Sequence, residues 1–314
     1  MTVQVARLPR DSNPPQPDSL VVGAIYEGPF HPAFEGHAAP QFAFTRSFEA
    51  SLTATVAQIE EAIEQGLCDD VEELCIQGDL PAIPSNLKRL PKLRVAQVTE
   101  LCGGSRVKRK APFDLAPLWQ AKQIEFLKLR LDDKTAELAP GLAELSQLRW
   151  LSIEGMALTT LPAEFDQLAS LERLHLICKK LSALPPLPPS LRALDVRHGL
   201  FKDLPDLSAL ASLQSLHFRD GKLSKLADAI GKLGSLEEIT VADCALSSLP
   251  SSVAGLRSLK KLHVTGKPLK KLPRDLGALA AIPTLFLSAT RTATAALEGA
   301  DAARVIARLK VVEG

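Results

Sequence analysis

Within residues 236–258 the apolar side chains fall at fixed intervals: Leu236, Ile239 and Val241 at positions one, four and six, then Leu246, Leu249 and Pro250, then Val253 and Leu256. The same order restarts at Leu259 and also begins at Leu213, which makes a repeat of twenty-three residues. Ile239 and Val241 alternate with Glu238 and Thr240, so the spacing predicts a short strand with one face inward and one toward solvent. The later apolar residues, three or four apart, suit a helical or irregular return, and Pro250 stops the strand from continuing. A single unit cannot bury its own apolar stripe, so neighbouring units must stack on it.

Followed along the chain, the pattern predicts strands beginning at Val71, Leu93, Ile124, Leu148, Leu171, Leu191, Leu213, Leu236, Leu259 and Ile282, about ten repeats. The longest gap, between the second and third, holds the basic insertion Cys102-Gly-Gly-Ser-Arg-Val-Lys-Arg-Lys110. Before the repeats, Leu52, Val56, Ile59 and Ile63 fall on one helical face with Glu60, Glu61 and Glu64 on the other, and Gly66 supplies a stop. This is the chemistry of a capping helix that hides the bare face of a terminal repeat. Residues 1–20 are Pro-rich and polar and read as a flexible leader or an export signal. Residues 21–50 carry five of the eleven Phe and the only Tyr, a density that calls for packing against the open end of the array. Past Ile282 the pattern fades, and Leu297, Val305, Ile306 and Leu309 suit a closing helix. The expected organisation is a leader and aromatic segment over 1–50, a capping helix over 51–70, repeats over 71–298 and a terminal cap over 299–314.

Composition narrows the function. A net charge of +1 over 314 residues gives no global field toward nucleic acid or an acidic membrane surface. No stretch approaches the roughly 18 apolar residues that span a membrane. The five cysteines, Cys68, Cys75, Cys102, Cys178 and Cys244, are scattered without zinc-site spacing and read as reduced thiols of a cytoplasmic protein.

The motif Leu-x-x-Leu-x-Leu followed by Leu-x-x-Leu-Pro runs through residues 71–287 and resembles the leucine-rich-repeat superfamily. The resemblance implies an α/β repeat solenoid, a horseshoe with a parallel sheet on its concave face and an N-terminal capping helix. Residues 171–190, Leu-Glu-Arg-Leu-His-Leu-Ile-Cys-Lys-Lys-Leu-Ser-Ala-Leu-Pro-Pro-Leu-Pro-Pro-Ser, resemble the shorter repeat of bacterial type III effectors such as the IpaH and YopM families. The repeats around them are similar to plant-type intracellular repeats and to the XopL kind of effector. This mixture implies a bacterial protein that works inside, or imitates proteins of, a eukaryotic host, with delivery by a type III system as one route. One departure stands out: the ninth position, usually Asn, holds Met156, Lys179, Gly199, Gly221, Cys244 and Lys267. The turn amides must then find water or backbone partners.

In such a solenoid the solvent-facing strand positions form the binding surface. They bring Arg173, Arg197 and Arg219 around His175, Asp195 and His217, with His263 further along and Phe126 and Trp150 as aromatic anchors. Arg and Trp concentrate binding energy at interfaces, which points to a partner protein with acidic and apolar surface. The same His/Asp group invites a metal or acid–base reading, but an open sheet offers little enclosure for either. Cys68-Asp69-Asp70 is similar to a Cys-x-Asp ligase motif yet sits in a loop before the first strand. Arg106, Lys108, Arg109 and Lys110 suit an anion contact or a nuclear address, against the plainer reading of a solvated loop. Nucleic acid is disfavoured, because no aromatic residues interleave with that run. The expected function is therefore a non-enzymatic, monomeric interaction module without cofactor or metal, an effector-like or regulatory adaptor. The alternatives are the substrate-recognition part of a ubiquitin-ligase-like effector and a weak acid–base site in the His/Asp patch.

Overall fold

A computed structural model describes residues 3–9, 21–30, 42–50, 54–77, 82–99, 114–273, 276–295, 297 and 300–312. The chain divides into two compact units, one formed by residues 1–135 and 139–151, the other by residues 136–138 and 152–314.

The N-terminal unit contains β1 (Gln4–Pro9), β2 (Val21–Phe30), β3 (Phe42–Ala50), β4 (Glu73–Gln77), β5 (Val95–Thr99) and β6 (Phe126–Leu131). Neighbours pair in parallel except β2 and β3, which run antiparallel. The pairing places Ile25, Phe48, Leu74, Ala96 and Leu127 in one register row, all buried. The inward column of the repeats thus continues into strands that lack the repeat motif. Part of the stretch read as a leader is ordered, and the rest of residues 1–20 lies outside the described residues. Gln4–Pro9 is a strand, Val3 is buried, and Arg7 forms a two-pronged pair with Asp70 at 2.7 and 3.1 Å. Three of the four prolines that weigh on the composition lie beyond the strand, at 14, 15 and 17, and the fourth, Pro9, is its last residue.

The helix expected over 51–70 spans Val56–Glu64 and buries Ile59, Ala62 and Ile63. Thr55 opens it through a reciprocal capping box: its hydroxyl accepts from the Gln58 amide at 3.3 Å, and the Gln58 side chain accepts from the Thr55 amide at 2.9 Å. Gly66 ends it at φ 74°, a conformation that costs other residues about 1–2 kcal/mol. The exposed edge of the first repeat strand is nevertheless covered by β3 rather than by this helix alone. The basic run Arg106, Lys108, Arg109 and Lys110 lies outside the described residues.

The C-terminal unit takes up β7 (Trp150–Gly155) from Ser152 onward and continues through β8 (Arg173–Ile177), β9 (Ala193–Arg197) and β10 (Ser215–Arg219). It ends with β11 (Glu238–Cys244), β12 (Lys261–Leu269), β13 (Thr284–Thr290) and β14 (Leu309–Val312). From β8 onward each strand pairs in parallel with the next. Each repeat strand begins two residues after the leucine or other apolar residue that opens its unit. Position four (Leu174, Leu194, Leu216, Ile239, Leu262) and position six (Leu176, Val196, Phe218, Val241, Val264) point into the core and are buried. Phe165, Ile230 and Val253, on short 3₁₀ turns at Ala163–Gln167, Asp228–Lys232 and Ser251–Gly255, close that core from the other side. Each such side chain contributes about 1.5–3 kcal/mol of burial, an upper bound given a partly collapsed unfolded chain.

The turns after these strands do without the missing Asn by a different device. Position eight takes the left-handed conformation in four successive repeats: His198 at φ 65°, Asp220 at 54°, Asp243 at 52° and Gly266 at 99°. The turn amides then reach carbonyls of the next repeat, His198 to Arg219 at 2.9 Å and Asp220 to Ala242 at 3.0 Å. The Cys244 thiol lies 3.3 Å from the Ala242 carbonyl and 3.8 Å from that of Phe218, a weak sulfur donor at the position where Asn is customary.

At the C-terminal end the expected closing helix is only partly realised. Ala300–Ile306 is helical with Val305 buried, but Leu309 begins β14, which pairs with β13. The sequence Leu309-Lys-Val-Val favours extended chain, and Arg308 fixes the turn by donating to the carbonyls of Ala280, Ile282 and Pro283.

Candidate functional site

On the sheet face turned away from the core of the C-terminal unit, position five forms one register row: His175, Asp195, His217, Thr240, His263 and Phe286, on β8 to β13. Neighbouring strands lie about 4.8 Å apart, which sets each of these side chains next to the following one. Ser152 Oγ meets His175 Nδ1 at 3.2 Å. Two residues further along the strands Arg197 and Arg219 stand side by side, and Arg173 begins β8 opposite Ala193.

The centre of the row is nearly closed to solvent. Asp195 is 2% exposed and His217 4%. A buried carboxylate requires opposite charge close by. Arg197 Nε stands 4.0 Å from Asp195 Oδ1 and His217 Nδ1 3.9 Å from Oδ2. On its other side His217 Nε2 lies 3.2 Å from Glu238 Oε1, and Lys261 pairs with the same oxygen. Arg197 and Lys261 supply fixed positive charge to the two carboxylates, and the His217 ring lies between them. Arg219 forms no ion pair among the described residues.

The row ends in an apolar feature. Phe286 is 43% exposed, and its ring packs edge-on against His263 with centroids 5.0 Å apart. Burial first, and then repulsion from Lys261 and Arg219, lowers the His263 pKa below its ordinary value of 6.5. The fold therefore favours the neutral ring. As pH falls through the unfolded-state value the unfolded chain takes up the proton first, so this residue's contribution to stability is present above that value and is lost toward the folded midpoint. Ring-proton NMR should place the His263 midpoint below 6.5 and move it upward in Lys261→Met. A midpoint at or above the ordinary value would contradict the positive local field.

The structure thus brings together Arg173, His175, Asp195, Arg197, His217, Arg219 and His263. It does not do so with Phe126 and Trp150, and their reading as solvent-facing anchors is corrected. Both lie in the N-terminal unit, 1% and 5% exposed, stacked on each other with centroids 6.1 Å apart and planes 26° from parallel. Two large rings at matching positions of adjoining strands cover one another, which strict alternation of inward and outward residues does not anticipate. The aromatic on the candidate face is instead Phe286. Glu238 and Lys261 also belong there, and their opposite charges at position three of adjacent repeats were the available signal.

No group of three or more His, Cys, Asp or Glu able to hold a metal occurs among the described residues. The Cys68 thiol is buried, and burial together with Asp70 pushes its pKa up to about 12, far from a ready nucleophile. Cys178, also buried, is likewise pushed up to about 12. No helix among the described residues is long and apolar enough to cross a membrane.

No family model matches the sequence, and no curated protein matches it. Solved structures do match in fold. A leucine-rich-repeat protein of Leptospira interrogans superposes with a TM-score of 0.54 at 22% identity, over 80% of this chain and 68% of that one. The leucine-rich-repeat domain of the type III effector XopL gives 0.52 at 21% identity, over 82% and 81%. A chain of the Toll–Spatzle complex of Drosophila gives 0.58 at 16%, over 76% of this chain and 34% of that one.

Proposed function

We propose that this chain, which has the leucine-rich-repeat fold, is a recognition module that binds a partner protein on the sheet face of its C-terminal unit. The observation that carries the reading is an exposed aromatic, Phe286, at the end of a row whose own carboxylates are already occupied while Arg219 is not. An exposed aromatic on β13 with unspent positive charge on the same face, three strands away on β10, has the composition of an interface. The complementary partner surface is apolar with acidic groups next to it. The face corresponds to the concave side of leucine-rich-repeat solenoids. The likeness to the XopL repeat domain, which covers most of both chains, supports an effector-like adaptor that acts on a host protein. The repeat at residues 171–190 supports the same reading.

Affinity capture from eukaryotic and bacterial lysates tests it, with wild type set against Phe286→Ala. Truncating a half-exposed ring leaves the core intact, so the variant should melt as wild type does while losing at least about tenfold in retention of the captured protein. Equal retention by both would move the working surface off this face.

A further inference from the structure

Resting on that reading, the chemistry of the bound group can be named. We infer that the strip from β10 to β12 is an oxyanion site, in which Arg219, Thr240 and His263 receive a phosphoryl or carboxylate group carried by the bound polypeptide.

Two orphaned donors carry the argument. Thr240 is 3% exposed, and its hydroxyl has no hydrogen-bond partner among the described residues; Arg219 Nε is buried and equally without one there. Buried donors left unmade cost stability, and folded proteins rarely keep them without a use. Both lie on the same sheet face. Arg219 is in register with Ala242, so Thr240 sits one alternation back on the adjoining strand, and His263 is in register with Thr240 from the far side. The donors therefore converge from three consecutive strands.

Charge points the same way. The carboxylates facing this strip are Asp195 and Glu238, and Asp243, near the end of β11, is felt at His263 as well. Asp195 lies beside Arg197 and His217, and Glu238 beside His217 and Lys261. Arg219 is left without a carboxylate among the described residues, and its cation is felt at His263, where it opposes protonation. A guanidinium presents two parallel N–H donors that fit an oxyanion, and a threonine hydroxyl supplies a third. Arg219 and His263 are only half-buried and make the outer contacts, with the Thr240 hydroxyl as the inner one. An oxyanion there satisfies both orphaned donors and the surplus charge at once. The same position filled by valine would satisfy none of these and would pack equally well.

The test uses the full chain with inorganic phosphate and acetate as probes, titrated at constant ionic strength and followed by NMR at the His263 ring and the Thr240 amide. Saturable shifts are expected, with a midpoint on the order of a millimolar. Arg219→Gln should weaken binding at least tenfold. Thr240→Val should weaken it several-fold while raising the melting temperature by about 2 °C, because an unmade buried donor is removed. A hydroxyl with a purely structural role would give the opposite sign on heating. Lys180→Gln, an exposed lysine on the turn after β8, should leave both quantities unchanged. N-acetyl phosphoserine amide and N-acetyl glutamate amide then decide which group is preferred, and tighter binding of either supports the site. Shifts that do not saturate, or variants that bind both probes as wild type does, overturn it. The two readings fail separately. Capture that depends on Phe286 with no oxyanion binding sinks the oxyanion site alone, and oxyanion binding with no protein captured through this face sinks the partner reading alone.

Discussion

Trp150→Ala should lower the unfolding free energy by about 3–5 kcal/mol, the cost of emptying an aromatic site in a packed core. The indole is 5% exposed and stacks on Phe126, itself among the largest fully buried side chains. Removing it deletes the ring's transfer free energy and leaves a cavity beside Phe126 that the surrounding strands fill only in part. Denaturant unfolding measures the effect directly. A loss below about 1 kcal/mol would show that the ring is not part of the core. The consequence for function is equally sharp: lost binding in a Trp150 variant reports unfolding, not a missing contact.

Arg219→Glu has the largest expected effect on binding. It should weaken retention of a captured partner on the order of 100-fold and reduce the salt dependence of what binding remains, since it replaces attraction by like-charge repulsion at the centre of the face. Stability should change by no more than about 1 kcal/mol, because Arg219 forms no ion pair among the described residues and its replacement strands no buried charge. Arg197 is a poorer target although it lies directly alongside. It stands 4.0 Å from Asp195, which is 2% exposed, so reversing it would set two carboxylates together away from water. Isothermal titration at two salt concentrations separates the outcomes. Affinity unchanged by Arg219→Glu would remove electrostatic recognition from the account.

Most of the repeat architecture was legible because burial in stacked strands demands strict periodicity. Leu216, Ile239 and Leu262 occupy the same position in successive units, and all three lie in the core as the spacing requires. The ten repeat strands, β4 to β13, follow the ten sequence origins. The ends were harder, since a terminal strand has one neighbour and needs no repeat motif. Gln4–Pro9 and Leu309–Val312 pair through backbone hydrogen bonds, which leave no side-chain signature beyond a few β-branched residues. The turn device was hidden for a related reason. His198, Asp220, Asp243 and Gly266 share a backbone conformation but no side-chain chemistry, so the column reads as noise in sequence.

The candidate site was legible in its residues and not in its energetics. His175, Asp195, His217 and His263 follow from counting to position five. That Asp195 and His217 are buried, and that Glu238 and Lys261 complete the charge row, depends on how side chains lean across strands. Aromatic rings misled in the same way. Phe126 and Trp150 hide each other, while Phe286, near the end of the array, remains exposed.

The most direct test of the binding face replaces Phe286 with a photoreactive benzoylphenylalanine and, in a second protein, places the same residue at Lys232 on the 3₁₀ turn across the core. Irradiation in eukaryotic and bacterial lysates should yield a discrete adduct from position 286 and none from position 232. An adduct from position 232 alone would contradict the account and transfer recognition to the opposite side of the sheet.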